Sequence, residues 1–311
     1  MEAYMKNLLT ICISLAFLTP AFSVAKNPSL AAEKHFPNVY YNIKKFPQGL
    51  FDKAGKTLVP EHRLSRVLLS WDLNGVIFRK KYSITANLYQ IAVTEKRGWT
   101  YAFRMLASFG KLWNYKRKLK KLHDPRGYVW DAMFKTLETS SVGKEFADLL
   151  RRFSQQANHL DYDMIALLQE LSANGHTNAV LSNMGEGLVQ VNVHFLRRQL
   201  EKGILTPEQQ AATQFAITFL TNKGRNVIAS EENNWLHKPM QKSYATCLVK
   251  NFDDQDGLTI FFDDKFSNIE AALADGLFDV AVYFNGSHDK GCKRLRKFLG
   301  HVSNGRLVAL S

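Results

Sequence analysis

Four short runs of apolar residues stand out from an otherwise mixed sequence: Val67–Trp71, Ala179–Leu181, Thr259–Phe262 and Val280–Phe284. Runs of this length without polar alternation predict strands buried on both faces. Val227–Ala229 predicts a shorter fifth strand. Between the first two runs, about a hundred residues carry helical periodicity and few strand signals. They predict helices over 84–109, 111–122, 127–138, 142–157 and 161–174, the last with Asp161 as N-cap and Gly175 as its stop. Val189–Lys202 and Pro207–Thr221 read as two more, the second with Thr206 as N-cap and Pro207 in the first helical position. A further helix over 240–250 opens at His237-Lys238-Pro239. Strands separated by helices imply an α/β fold with a parallel sheet. The helical stretch after the first strand implies a second, smaller domain.

The first residues follow a different pattern. Leu8–Leu18 is an apolar stretch behind a short polar start, and Pro20 and small residues follow it. Eleven residues rise about 16 Å as a helix, against about 30 Å of bilayer core. The pattern is that of a secretory signal peptide over 1–25, with cleavage expected after Ala25. It predicts an exported protein, periplasmic or secreted, with an uncleaved membrane anchor as the rival reading. Residues 26–64 form an arm rich in Pro and Gly. Tyr40, Tyr41, Phe46 and Phe51 suit it to packing on a surface. The core then takes 65–80 and 175–311, and the helical insert 81–174.

The chain of 311 residues is 46% hydrophobic and 12% aromatic, which excludes wholesale disorder. Three cysteines exclude a disulfide scaffold. Cys12 would leave with the leader; an oxidising compartment would permit one bridge between Cys247 and Cys292, and two free thiols are the expectation. The net charge of +13 fits an anionic partner. Lys6 and Glu2 would leave together, so the excess belongs to the mature chain. Its densest run is Lys111, Lys116, Arg117, Lys118, Lys120, Lys121 and Arg126, interleaved with Trp113 and Tyr115 and opposed only by Asp124. A solvated helix face is the plainer reading of such a run. Steering of an anionic substrate, or contact with an anionic polymer or membrane surface, is the functional one, and nucleic acid ranks behind these. Lys293, Arg294, Arg296 and Lys297 form a second cluster, read as surface.

Candidate chemistry collects at the strand ends. The first strand ends in Asp72-Leu73-Asn74-Gly75, a carboxylate followed by a glycine turn. That is where open α/β sheets put their ligands. The second ends in Ser182-Asn183-Met184-Gly185, offering a hydroxyl and backbone N–H groups to an oxyanion. Lys238 supplies a cation. The strand at 259–262 ends in Asp263-Asp264, two adjacent carboxylates that suit a hard cation such as Mg²⁺. Singly, each has a plain structural reading as a cap, turn or loop residue. Their order, each at or just after a strand end, points to one site.

Here the sequence resembles the haloacid dehalogenase-like (HAD) hydrolase superfamily. Residues Phe262-Asp263-Asp264-Lys265-Phe266-Ser267-Asn268-Ile269-Glu270-Ala271-Ala272 are similar to the family's fourth motif. The resemblance covers about 65–300 in four short motifs. It implies a Rossmann-like, five-stranded parallel sheet in the order 5-4-1-2-3 and a helical cap between motifs one and two. It also implies roles. Asp72 would be the nucleophile, forming an aspartyl-phosphate. Ser182 and Lys238 would hold the phosphoryl oxygens. Asp72, the Asn74 backbone carbonyl and Asp264 would hold Mg²⁺, with Asp263 in or near its shell. The substrate would be a small phosphorylated molecule.

One position departs from the pattern. The family's phosphatases carry an acid–base aspartate two residues after the nucleophile, where this chain has Asn74. An amide cannot exchange a proton near neutral pH, and loss of a general acid–base typically lowers rates about 10²–10⁴-fold. Three readings follow: a slow or specialised Mg²⁺-dependent phosphohydrolase, a catalytically degenerate binding protein, and, more distantly, a dehalogenase-type hydrolase. His123, Asp124 and Asp131 are candidate replacement acids from the insert. His194 and His237 read as structural, and Trp235 as either pocket lining or packing.

Overall fold

The computed structural model describes residues 36, 39–41, 49–80, 112–138, 158–252, 256–274, 276–284 and 288–309. The expected leader over 1–25, most of the arm before residue 49 and the expected helices over 84–109 and 142–157 lie outside them. In chain order the strands are β1 (Tyr40–Tyr41), β2 (Val67–Trp71), β3 (Phe78–Lys80), β4 (Asn158–Leu160), β5 (Thr177–Ser182), β6 (Val227–Ile228), β7 (Leu258–Asp263) and β8 (Val280–Tyr283). The helices used below are α1 (Trp130–Glu138), α2 (Tyr162–Ala173), α3 (Glu186–Glu201), α4 (Pro207–Leu220), α5 (Gln241–Asn251), α6 (Phe266–Ala274) and α7 (His288–Ser303).

The main sheet runs β1-β8-β7-β2-β5-β6. Its last five strands are mutually parallel, and β1 adds an antiparallel edge against β8. Counting only the parallel strands along the chain, the order is 5-4-1-2-3, as the resemblance implies. Every residue of β2 and β7 is buried, because helices cover both faces. Alternation at period two sorts the side chains. Val67, Leu69 and Trp71 join the cluster formed with α2, α3, α4 and α7. Leu68 joins the cluster formed with Tyr244 and Cys247 of α5 and with Ile269 and Ala272 of α6. Cys247 and Cys292 therefore lie in different clusters, both buried and free. Trp71 stacks on Phe262 of the neighbouring strand at 3.9 Å, and its Nε1–H donates to Asn178 Oδ1 at 2.9 Å.

Three features differ from the sequence reading. First, β3 and β4 pair as an antiparallel ribbon at the root of the insert. Three residues are too few to show alternation, so neither was expected. Secondly, α2 was expected in the insert but belongs to the core layer. Its Met164, Ile165, Leu168 and Leu171 are buried in the main cluster with α7, and Arg79 of β3 pairs with its N-cap, Asp161, at 2.7 Å. The insert thus lies between β3 and β4. Thirdly, the helix expected over 127–138 begins at Trp130. Pro125–Gly127 instead forms a 3₁₀ turn, which the Asp124 carboxylate caps by accepting from Arg126 N.

The described part of the arm packs as expected. Phe36 meets Phe298 edge-on at 5.5 Å, and Thr57 Oγ1 donates to Val302 O at 2.7 Å. Among the described residues no helix is long and apolar enough to cross a membrane.

Candidate active site

Parallel register brings the C-terminal ends of β2, β5 and β7 to one edge. Trp71 pairs with Val180 on one side and with Phe262 on the other. Asp72 continues that ladder, its N–H donating to Phe262 O at 2.9 Å. The chain then turns sharply. Ile77 N and Phe78 N both donate to Leu73 O, and Gly75 N donates to Phe78 O. Buried Leu73, Val76 and Ile77 anchor this turn in the core. Gly75 is required on two counts. Its φ is +89°, and a Cβ there would lie 2.4 Å from Asp264 Oδ2.

Lys238 is the hub. It is 1% exposed, and its Nζ lies 2.8 Å from Asp72 Oδ1 and 2.5 Å from Asp263 Oδ2. Burial alone would lower its pKa, but Asp263 and Asp72 overturn that and hold it above the usual lysine value. Asp263 is fully buried, which pushes its carboxyl up to about 6 against the pull of Lys238, and Asp72 and Asp264 add to the rise. Asp263 is also held by Asn268 Nδ2, donating at 3.0 and 2.9 Å, and by Lys265 N at 2.8 Å. Both its oxygens are thus engaged by protein donors, Lys238 among them.

Asp72, Asp263 and Asp264 bring carboxylate oxygens within 4.8 Å of one another. Three carboxylates around one buried ammonium leave an excess of negative charge. The donors are all oxygen, which suits a hard divalent cation. The missing Cβ of Gly75 keeps room beside Asp264. The residues present therefore fit Mg²⁺, which Asp72 and Asp264 would hold, with Asp263 beside them. Asn74 stands on the same loop, and its Oδ1 is buried with no hydrogen-bond partner among the described residues.

Ser182 ends β5 one residue beyond the level of Asp72. It is 2% exposed, and its Oγ accepts from Met184 N at 3.2 Å. Its neighbour Asn183 has a role that the sequence reading missed. Asn183 Nδ2 donates to Lys238 O, and Lys238 N donates to Asn183 Oδ1, both at 2.7 Å. This reciprocal pair fixes the backbone that carries the hub lysine. The only signal for it in the sequence was adjacency to Ser182.

The insert docks over these same loops. Tyr128 stacks on His237 at 4.5 Å. Trp235 packs with Val129, Ala132 and Ala229, so it is an insert–core contact rather than an open pocket wall. Asp131 Oδ2 accepts from Gly187 N, near the start of α3, at 3.1 Å. A Cβ on Gly185 or Gly187 would lie 2.2 or 2.5 Å from Asp131 atoms, so both glycines make way for it. The replacement acids offered by the insert therefore have other tasks. Asp131 holds a helix N-terminus. Asp124 is bonded to Arg126, which keeps its carboxyl below the usual range. His123 is exposed. His237 fits its structural reading: its Nδ1 lies 2.8 Å from Trp235 O, and burial pushes its pKa down.

A parallel sheet in this order, with an aspartate, a buried lysine and an aspartate pair gathered at one edge, is the arrangement that the resemblance to the HAD superfamily implies. Relations to named proteins are remote. The chain is similar to a HAD phosphatase from Thermococcus onnurineus, with 16% identity, a TM-score of 0.43 and coverage of 75% of this chain and 98% of that one. It is also similar to an L-2-haloacid dehalogenase from Xanthobacter autotrophicus, with 16% identity, a TM-score of 0.42 and coverage of 76% and 83%. Likeness at this level bears on neither substrate nor reaction. No family model matches the sequence, and no curated protein does.

Proposed function

We propose that the protein is a Mg²⁺-dependent phosphohydrolase in which Asp72 accepts the phosphoryl group of a small phosphomonoester. The observation that carries this reading is the convergence of Asp72, Asp263 and Asp264 around the buried Lys238 Nζ. Asp72 Oδ1 is the attacking oxygen. Lys238 lies within hydrogen-bond reach of it and neutralises charge on the incoming phosphoryl group. Ser182 supplies a hydroxyl to a second phosphoryl oxygen. Bound Mg²⁺, on Asp72 and Asp264, would screen the negative charge between nucleophile and phosphate. Asp263 and Asn183 keep Lys238 in place. Asn74 cannot protonate the leaving group, so the enzyme favours esters whose leaving group departs unaided. Export through residues 1–25 belongs to the same proposal.

A second reading, a binding protein without turnover, is favoured by Asn74 itself and by the engagement of Asp131 and Asp124 elsewhere. Hydrolysis of an aryl phosphate with Mg²⁺ separates the two. Under the proposal, wild type shows weak activity, Asp72→Asn abolishes it and Asn74→Asp raises it. Three indistinguishable rates would rule out the enzyme, and calorimetry of Mg²⁺ on wild type and Asp264→Asn would then test the binder.

A further inference from the structure

The insert carries one basic face that the proposed chemistry does not use. In the helical segment 112–121, Leu112 and Leu119 are buried, and at about 100° per residue they point in nearly the same direction. Lys116 and Lys120 flank them, with Nζ 3.9 Å from the Trp130 ring centroid and 4.7 Å from that of Tyr128. The opposite side faces solvent. Trp113, Arg117 and Lys121 follow at intervals of four residues, and Lys118 and Leu122 widen the arc. All five are exposed, Trp113 by 42% and Leu122 by 67%. Leu122 N still donates to Lys118 O at 3.1 Å, so it keeps its place on the arc. The order across the arc is Trp113, Arg117, Lys121, Lys118, Leu122: three bases edged on each flank by a large apolar side chain. No acid occurs from 112 to 123, and Asp124, the next one, is bonded to Arg126 at 2.6 Å. The turn that follows packs on the helix and fixes it: Asp124 N donates to Leu119 O at 2.9 Å, and a Cβ on Gly127 would lie 2.9 Å from Lys120 N.

We propose that this arc docks the protein on the headgroup layer of an anionic phospholipid bilayer. Arg117, Lys118 and Lys121 would meet lipid phosphates, each strengthening binding about fivefold. Trp113 and Leu122 would enter the boundary between headgroups and acyl chains on either side of them. The net charge of +13 draws the chain toward the same kind of surface. The two apolar flanks favour a bilayer over a nucleic acid or another soluble polyanion, which would engage the bases and leave Leu122 in water. The inference is independent of the phosphohydrolase reading, since none of the five residues belongs to the site around Asp72 and Lys238.

The test sediments the full chain with phosphatidylcholine vesicles, with and without phosphatidylglycerol, and reads the lipid concentration at half-binding. Wild type is expected to gain about 100-fold from phosphatidylglycerol and to lose that gain in high salt. The gain isolates this face, because an uncleaved apolar leader would bind both kinds of vesicle alike. Arg117→Gln/Lys121→Gln should cut the gain about 25-fold, at about fivefold per base. Lys293→Gln/Lys297→Gln removes the same charge from exposed positions on α7 and should leave the gain within about twofold. Trp113→Ser and Leu122→Ser should each weaken binding to the anionic vesicles about tenfold at unchanged charge. Brominated lipid should quench tryptophan fluorescence in wild type, and Trp113→Phe should lose that quenching. No gain from phosphatidylglycerol, an equal loss in the α7 pair, or quenching that survives Trp113→Phe would overturn the proposal. Duplex DNA bound as tightly as the anionic vesicles, with no loss in Trp113→Ser or Leu122→Ser, would assign the face to polyanions and overturn it as well.

Discussion

Gly75→Ala combines two perturbations that a second glycine can separate. The backbone at Gly75 has φ +89°, and an alanine in the left-handed region costs about 1–3 kcal/mol. The new Cβ would also lie 2.4 Å from Asp264 Oδ2, 2.8 Å from its Cγ and 3.0 Å from its Cβ. To reach ordinary contact, the carboxylate must back away by about 1 Å, and a displacement of that size typically lowers turnover about 10²-fold. Gly55 is the control. Its φ is +82° with nothing within 4 Å of a built Cβ, so Gly55→Ala carries the strain without the clash. Urea unfolding should therefore show both variants destabilised. Phosphate release titrated with Mg²⁺ should show only Gly75→Ala weakened, in rate and in Mg²⁺ affinity. A Gly75→Ala enzyme with the Mg²⁺ dependence and rate of Gly55→Ala would refute the role given to Asp264.

Other variants probe the supports of the site. Asp131→Ala removes the acceptor from Gly187 N–H and should destabilise by about 1–3 kcal/mol in urea unfolding, with Asp131→Asn milder; equal midpoints would show that the insert docks without that bond. Asn183→Ala removes both 2.7 Å bonds to the Lys238 backbone and should cut turnover by about 10- to 100-fold, so a wild-type rate would show that Lys238 needs no such support. Lys116 has its pKa lowered from 10.5 to about 7, so its burial cost is full below 7 and fades as pH rises toward 10.5, because the folded state sheds its proton first. Lys116→Met should accordingly be more stable than wild type at pH 6, with the gap closing by pH 10; a gap independent of pH would contradict this.

Much of the core was legible because its strands are buried on both faces. Val67–Trp71 shows as an unbroken apolar run and matches β2 residue for residue, while the runs at 259–262 and 280–284 miss their strand ends by a residue. Asp161 and Thr206 were legible as caps because one side chain acts on a backbone group three residues on, and both do so. The parts that stayed hidden depend on distant partners. The β3–β4 ribbon joins segments separated by the whole insert, and neither segment carries a pattern of its own. The place of α2 in the core follows from its packing against β5 and α7, which helical periodicity cannot express. Asp72, Lys238, Asp263 and Asp264 were legible by type and position, but the capture of Asp263 by Asn268 and the Lys265 N–H was not. Asp131 looked like a free acid until the geometry put it against Gly187.

The central claim is that Asp72 accepts a phosphoryl group. The most direct measurement is acid quenching during turnover of an aryl phosphate with Mg²⁺, followed by peptide mass analysis. The predicted result is a phosphoryl adduct on Asp72 that is absent from Asp72→Asn and lost on metal chelation. An unmodified Asp72, together with phosphate release that survives Asp72→Asn, would contradict it.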